Sequence, residues 1–168
     1  MARPEAQAIA ALLTERHETL AVAETAAGGL ISAALAAIPG ASAWFLGGAV
    51  AYGVGAKERW LGLTASDLAP HGAVSQHAAR LMAQRVRAAT GATWGLAETG
   101  IAGPQTGRRS SKSAGLACLA VDGPLQSSAE SHTGLAGRED NQDAFATLAL
   151  RLLLESLRRA PRTTPAPG

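Results

Sequence analysis

Short apolar runs alternate along the chain with segments in which apolar residues recur at helical spacing. Prolines and glycines close most of the helical segments. After the turn Asp122-Gly123-Pro124, weak alternation over 125–133 predicts a strand that pairs back antiparallel to the one before it. The pattern otherwise predicts strands at 20–23, 44–52, 93–97 and 115–121, and helices at 4–16, 30–38, 54–61, 75–90 and 138–159.

Strands that alternate with helices predict an α/β protein, a three-layer α/β/α sandwich. The hairpin-like turn at 122–124 indicates that its central sheet is mixed rather than entirely parallel. Residues 1–160 are expected to form one domain, followed by a disordered tail at 161–168. We expect the strand at 44–52 to be buried and residues 99–113 to form a long loop.

Composition limits which residue types can form the core and which classes of partner the chain is expected to bind. Aromatic residues make up only 4% of a chain that is 47% hydrophobic, so the core is expected to consist of Leu, Val, Ile and Ala. The net charge is +2 and no basic stripe interleaves with aromatics, so nucleic acid is not the expected partner. No run of 18 apolar residues and no apolar signal core occur, which predicts a cytoplasmic protein without a membrane span. On the last helix, the apolar spacing predicts a buried face of Phe145, Leu148, Leu152 and Leu157.

Cysteine and histidine give no sign of metal chemistry. The one cysteine, Cys118, lies in an apolar run and is expected to be a buried small hydrophobe. His71 and His77 are six residues apart and lack supporting carboxylates. The sequence therefore predicts no metal site.

Three glycine-containing turns next to strands are the candidate sites of chemistry. The first, at 23–29, places Thr25 between a strand and a helix, where backbone N–H groups can hold an oxyanion or a phosphate. Thr25 either takes part in that chemistry or only caps the helix. The second, at 47–52, precedes Lys57, which is either a general base with a pKa lowered by desolvation or an ordinary solvated lysine.

The third turn, at 98–104, leaves a strand and enters the long loop. Its glycine spacing matches neither a Walker A loop nor a dinucleotide-binding fingerprint. Arg108, Arg109 and Lys112 follow it, and they either approach an anionic ligand or are solvated.

Several short blocks occur in an order that is specific when they are taken together. They are Ala23-Glu24-Thr25-Ala26-Ala27-Gly28-Gly29, 39–48, Ala51-Tyr52, Ala56-Lys57, Leu61-Gly62, 71–75, Thr99-Gly100-Ile101-Ala102-Gly103-Pro104 and Gly137-Arg138-Glu139. The ordered set resembles the CinA C-terminal domain, also called the nicotinamide-nucleotide amidase family, over about residues 5–157. This resemblance implies the α/β/α fold and hydrolysis of nicotinamide mononucleotide to nicotinate mononucleotide and ammonia.

The resemblance also implies roles for individual residues. Thr25 stands where the family has a serine nucleophile, Lys57 matches a lysine that takes the hydroxyl proton, and Tyr52 matches a tyrosine that assists. Backbone N–H groups of Gly28-Gly29, or of 99–103, would stabilise the oxyanion. No metal and no cofactor are implied. The residues implied to bind the substrate are Glu24, Gly28, Gly29, Gly48, Thr99, Gly100, Ala102, Gly103 and Arg138.

The chain departs from the family pattern at positions to which the resemblance assigns catalysis and phosphate binding. Thr25 replaces the usual serine, and Ala26-Ala27 replaces Cys-Thr. Gln142 stands where the family often has a second arginine, which concerns the phosphate contact. The alternative to an amidase is therefore a degenerate paralogue that binds a nucleotide or a protein partner without turnover. Family habit favours a homo-oligomer in either case.

Overall fold

The computed structural model describes residues 3–104 and 110–162. A turn of 3-10 helix, Ala41–Ala43, precedes the second strand. The elements in chain order are α1 (Pro4–Arg16), β1 (Leu20–Glu24), α2 (Leu30–Ala36), β2 (Phe45–Val50), α3 (Val54–Leu61), α4 (Ala65–Leu68), α5 (Gln76–Thr90), β3 (Trp94–Ile101), β4 (Leu116–Asp122), β5 (Ser127–His132) and α6 (Arg138–Arg159).

The five strands form one mixed sheet in the order β2-β1-β3-β4-β5. β1 pairs parallel with β2 and with β3, whereas β4 runs antiparallel to both β3 and β5. The carboxyl ends of β2, β1 and β3 therefore meet at one edge of the sheet, which is where ligands of α/β proteins usually bind. The predicted mixed sheet and the antiparallel return after 122–124 are confirmed.

Each face of the sheet carries its own apolar core. Leu20, Val22 and Leu96 pack on the side covered by α1, α2 and α6. The alternating neighbours Ala21, Ala23 and Ala97 face α5, with the buried Cys118. Small side chains on this second face leave room for α5 to lie close to the strands, and the two cores complete the predicted three-layer α/β/α sandwich.

Two helix starts follow directly from their first residues. Pro4 occupies the first turn of α1, where its missing N–H would have no partner in any case. Ser75 caps α5 by accepting a hydrogen bond from the backbone N–H of Ala78. Both helix starts lie within one residue of their predicted positions.

The prediction of a buried strand at 44–52 is wrong in its burial. Among the residues that the structure describes, β2 pairs only with β1, so it is an edge strand, and Leu46 is 46% exposed. An apolar run cannot show by itself whether a strand has one neighbour or two.

One strand boundary and one helix also differ from the prediction. β3 continues through Thr99 and Gly100 to Ile101, because these residues pair with β4, so the expected loop begins only after them. The helix α4, which starts with a capping box between Thr64 and Asp67, was not predicted at all.

The buried face of α6 also differs from the predicted one. Phe145 and Leu157 are fully buried as expected, but Leu148 and Leu152 are only partly buried. The fully buried stripe instead continues through Ala146, Ala149, Leu150 and Leu153. Alanines carry much of this stripe, and apolar spacing read from large side chains alone misses them.

Within the described ranges, no helix is both long enough and apolar enough to cross a membrane. Arg162, in the tail expected to be disordered, forms a salt bridge with Glu15. The remaining tail, residues 163–168, lies outside the described residues.

Candidate active site

A cavity of about 280 Å³ opens at the edge where β1 and β3 end. Its size is near the lower end of the range for small-molecule sites. The walls come from the turn after β1, the start of α3, the end of β3 and the start of α6. Among the residues implied by sequence, those that line it are Thr25, Tyr52, Lys57, Thr99, Gly100, Ala102, Gly103 and Arg138.

Thr25 is 5% exposed and is the first residue after β1. Its hydroxyl donates a hydrogen bond to Oγ1 of Thr99, 3.3 Å away. Thr99 in turn donates its hydroxyl proton to the carbonyl oxygen of Ala73 at 2.8 Å. The two hydroxyls thus form a short chain that runs from the cavity to the backbone before α5.

Lys57 lies on α3 and is 5% exposed. Its Nζ donates a hydrogen bond to the main-chain carbonyl of Tyr52 at 2.9 Å. Burial lowers the pKa of the Lys57 amine below its usual range, and the charge of Glu98 partly opposes that shift. A buried lysine with a lowered pKa is the form that can accept a proton.

Arg138 joins two walls of the cavity from the start of α6. Its Nη1 donates to the carbonyl of Gly103 at 2.9 Å, and its Nη2 donates to the phenolic oxygen of Tyr52 at 2.7 Å. Tyr52 is 57% exposed, so this arrangement lies at the cavity mouth. The planar fork of the guanidinium is what allows one side chain to hold both partners.

Glu98 is the functional candidate that the sequence reasoning missed. It is fully buried on β3, and its Oε2 accepts hydrogen bonds from the backbone N–H groups of Thr25 at 3.0 Å and Ala27 at 2.9 Å. Burial raises the pKa of Glu98 to about 7, although these two hydrogen bonds act against the rise. A glutamate immediately before Thr99 and inside an apolar strand was the available signal.

Glu24, Gly28, Gly29 and Gly48 do not line this cavity. Glu24 is fully buried and holds the start of α2, because its carboxylate accepts from the backbone N–H groups of Gly29, Ile31 and Ser32 and from the Ser32 hydroxyl.

The glycines near Glu24 are also used structurally. Gly28 N–H donates to the carbonyl of Thr25, and Gly29 N–H donates to Glu24, so both N–H groups have partners within this segment. Gly48 packs against α2, where a Cβ would lie 1.9 Å from Oγ of Ser32. Of the two expected sources of oxyanion donors, only 99–103 borders the cavity.

The sequence profile of the CinA C-terminal domain matches residues 2–157 of the chain. The chain belongs to the CinA C-terminal domain family. A CinA-like protein of Anaeromyxobacter dehalogenans (strain 2CP-1 / ATCC BAA-258) is 44% identical over 149 residues, which cover 87% of this chain and 36% of that protein. A CinA-like protein of Synechococcus elongatus (strain ATCC 33912 / PCC 7942 / FACHB-805) is 39% identical over 155 residues, 92% of this chain and 36% of that protein. The chain thus spans well under half the length of these curated relatives.

Solved structures agree with this assignment. The crystal structure of competence damage-inducible protein A (ComA) from Klebsiella pneumoniae subsp. pneumoniae MGH 78578 superposes with a TM-score of 0.86 at 28% identity, covering 92% of this chain and 96% of that one. The crystal structure of competence/damage inducible protein CihA from Agrobacterium tumefaciens gives a TM-score of 0.82 at 32% identity with the same coverage. The family and the three-layer fold predicted from sequence are confirmed.

In this CinA C-terminal domain, two side chains of α6 hold backbone groups of residues that line the cavity. Asn141, fully buried on α6, donates from Nδ2 to the carbonyl of Ala102 at 2.9 Å. Gln142 donates from Nε2 to the carbonyl of Ala26 at 2.9 Å. The side chain that replaces the family's second arginine is therefore used to hold the turn after Thr25.

The basic residues of the long loop are only partly within the described structure. Arg108 and Arg109 lie outside the described residues. Lys112 donates to the carbonyls of Val74 and His71, and Val74 is part of the cavity wall. Among the residues that the structure describes, no group of three or more His, Cys, Asp or Glu is arranged to hold a metal ion.

Proposed function

We propose that the chain is an amidohydrolase that converts nicotinamide mononucleotide to nicotinate mononucleotide and ammonia. The observation that carries the proposal is that Thr25 and Lys57, both 5% exposed, line one cavity at the carboxyl edge of the parallel strands. A hydroxyl and a desolvated amine are the two groups that a Ser–Lys type of hydrolase requires.

In the proposed reaction, neutral Lys57 accepts the Thr25 hydroxyl proton while Oγ1 forms a bond to the carboxamide carbon. The tetrahedral intermediate then breaks its carbon–nitrogen bond, and Lys57 returns the proton to the departing ammonia. Water attacks the resulting ester with Lys57 as base, which releases the carboxylate and restores the Thr25 hydroxyl. The lowered pKa of Lys57 supports this assignment, because a base must be unprotonated to act.

The walls of the cavity supply the other roles in the proposal. Backbone N–H groups of 99–103 are assigned to the oxyanion of the tetrahedral intermediate. Arg138 is assigned to the phosphate, since its remaining N–H donors and positive charge lie at the cavity mouth. The mechanism uses side chains, backbone N–H groups and water, and it assigns no role to a metal or a cofactor.

A second candidate function is nucleotide binding without turnover. The Thr25 hydroxyl donates to Thr99 rather than to Lys57, and Gln142 takes the place of an arginine while bonded to Ala26. In that case the cavity would hold the nucleotide while the nucleophile stays turned away from the base. The two functions differ in whether ammonia is released.

The deciding experiment incubates the purified chain with nicotinamide mononucleotide and follows ammonia and nicotinate mononucleotide together. Thr25→Val keeps the shape of the side chain but removes the hydroxyl, and Lys57→Met removes the amine from a chain of similar length. Each is expected to lower kcat by about 10²–10⁴-fold. Arg151→Gln is the matched surface control, because Arg151 pairs only with Glu5 far from the cavity among the described contacts.

Calorimetric titration with the same nucleotide separates the two candidates. Turnover that depends on Thr25 and Lys57 supports the amidase. Tight binding without ammonia, followed by turnover in Thr25→Ser, supports the binding protein. Turnover that survives in Thr25→Val would remove Thr25 from the mechanism.

Assembly and location follow the same proposal. A homo-oligomer remains a prediction, which light scattering on the purified chain tests directly. Pyridine nucleotide salvage is proposed as the pathway, and this favours action in the cytoplasm. Neither nucleic acid nor a membrane is assigned as a partner.

A further inference from the structure

A single buried carboxyl connects the turn that carries Thr25 to the strand that carries Thr99. Glu98 is fully buried and lies on β3 directly before Thr99. Its Oε2 accepts two backbone N–H groups from the turn after β1, those of Thr25 and Ala27. A carboxylate oxygen shared by two amides of one turn restrains that turn more strongly than one neutral hydrogen bond does.

Glu24 and Glu98 hold different parts of the segment that follows β1. Glu24 binds the amides of Gly29, Ile31 and Ser32, which belong to α2 and its cap. The residues between β1 and that cap are held by Glu98, by the contact of Gln142 with the Ala26 carbonyl and by backbone hydrogen bonds from Gly28 and Leu30. The N–H and the hydroxyl of Thr25 are therefore both held from β3.

The surroundings of the second carboxyl oxygen of Glu98 favour the protonated form of this side chain. Oε1 is buried and finds no hydrogen-bond partner among the described residues. It lies next to Gly100 in the cavity wall, where an added Cβ would be 3.1 Å from it. An unpartnered buried oxygen is costly when it carries charge and much less so when it carries a proton.

We infer that Glu98 is a positioning residue, which fixes Thr25 in the cavity wall by accepting the backbone N–H groups of Thr25 and Ala27. The inference deepens the proposed amidase function and rests on it for its kinetic consequences. It concerns the geometry of the nucleophile and assigns Glu98 no contact with the substrate, because Glu98 does not line the cavity.

The charges around Glu98 agree with a group that titrates near neutrality. Burial raises its pKa to about 7, the nearby Glu24 raises it further, and Lys57 on α3 acts in the opposite direction. Glu24 acts on it from β1 and Lys57 from α3, and the Cys118 thiol on β4 is a further titratable group nearby, since the Glu98 charge helps to raise the pKa of Cys118. The backbone amides of Thr25 and Ala27 should therefore sense one ionisation together.

The first test needs no turnover, so it is independent of the proposed function. Amide proton shifts of Thr25 and Ala27 are followed by NMR as a function of pH in the wild type and in Glu98→Gln. We expect both amides to shift with one shared midpoint in the wild type and to lose that transition in Glu98→Gln. Amide shifts of Thr25 and Ala27 that are the same in the wild type and in Glu98→Gln at every pH would overturn the inference.

The second test uses catalysis and a conservative rescue. Glu98→Gln retains an oxygen that can accept both amides, whereas Glu98→Leu retains none. We expect Glu98→Leu to lower kcat on the order of 10- to 100-fold with little change in KM, and Glu98→Gln to restore most of it. Equal kcat in the Gln and Leu variants would overturn the inference.

The outcomes remain separable from those of the proposed function. A wild type that shows the shared amide transition but releases no ammonia would remove the amidase and keep Glu98 as the anchor of the turn. A Glu98→Leu chain that fails to fold leaves the decision to the amide titration of the wild type and Glu98→Gln.

Discussion

The hydroxyl of Thr25 donates a hydrogen bond to Oγ1 of Thr99 at 3.3 Å, and both side chains are almost completely buried. Thr99 passes the chain on to the Ala73 carbonyl at 2.8 Å. The hydroxyl proton of the proposed nucleophile is thus directed at Thr99, while Lys57 Nζ donates to the Tyr52 carbonyl. In the proposed mechanism this hydrogen bond orients the Thr25 side chain in the cavity wall, and the hydroxyl proton passes to Lys57 once a substrate is bound.

Replacing Thr99 should affect both activity and stability. Thr99→Val removes the acceptor for Thr25 and leaves the Ala73 carbonyl without its partner, which we expect to cost about 1–3 kcal/mol in the free energy of unfolding. We also expect kcat/KM to fall about 10-fold because the nucleophile loses its orientation. Thr99→Ser retains the hydroxyl and should stay within about 3-fold of the wild type.

Urea unfolding and ammonia release measure these two effects on the same samples. A Thr99→Val variant with higher activity than the wild type would mean that the hydrogen bond to Thr99 holds the nucleophile back. A variant with unchanged stability would contradict the burial of this hydroxyl chain.

The ionisation of Lys57 should depend on Glu98. Burial lowers the pKa of Lys57, and the Glu98 charge counteracts part of that effect. Removing the charge in Glu98→Gln should therefore lower the Lys57 pKa further and move the acidic limb of the kcat profile to lower pH.

Carbon-13 NMR of labelled lysine can measure this titration directly. The sequence has two lysines, Lys57 and Lys112, so Lys112→Arg assigns the Lys57 signal without ambiguity. A Lys57 midpoint that stays in place or rises in Glu98→Gln would contradict the predicted coupling.

The free energy of unfolding should depend on pH through the ionisation of Glu98. In the unfolded chain this carboxyl loses its proton near pH 4.5, whereas in the folded chain it keeps the proton up to about pH 7. The folded state therefore binds more protons in this window, and stability falls as pH rises through it. Glu98→Gln has no such proton, so its stability relative to the wild type should increase with pH by up to about 3 kcal/mol.

Urea titrations of both proteins on either side of that window give this difference. Ser156→Ala, a change on α6 away from the cavity, controls for unrelated pH effects. A stability difference that stays constant with pH would show that Glu98 is ionised in the folded protein throughout.

The sequence predicted the architecture because periodicity and turn residues act locally. Pro4 and Ser75 mark helix starts, and the turn at 122–124 returns the chain as an antiparallel strand. It did not predict that β2 is an edge strand or that β3 extends to Ile101. Both depend on which strand lies alongside, and strand pairing is a long-range property.

The site was predictable only in part for a related reason. Thr25, Lys57 and Arg138 all line the cavity, and their blocks were recognisable in the sequence. The roles of Glu24 and Glu98 were not, because each depends on backbone N–H groups that folding brings to a carboxylate. A sequence gives the side chains and their order, but not which amides lack a partner.

The contacts of Arg138 with Tyr52 and Gly103 at the cavity mouth allow effects on substrate binding to be distinguished from effects on the chemical step. Tyr52 contributes its main-chain carbonyl to Lys57 and its phenolic oxygen to Arg138. Tyr52→Phe keeps the first contact and removes only the second, so kcat should stay within about 3-fold of the wild type while KM rises about 3- to 10-fold. Arg138→Lys loses the fork that holds Tyr52 and Gly103 together, so its KM should rise on the order of 10-fold.

Nicotinamide riboside, which lacks the phosphate, shows whether Arg138 acts on that group. Arg138→Lys should raise KM for the mononucleotide much more than for the riboside, because only the former presents an anion to the guanidinium. Equal losses on both substrates would assign Arg138 to shaping the cavity mouth through Gly103 and Tyr52. A fall in kcat of about 10²-fold or more in Tyr52→Phe would instead give the phenol a part in the chemical step, in line with the assisting role that the family resemblance implies.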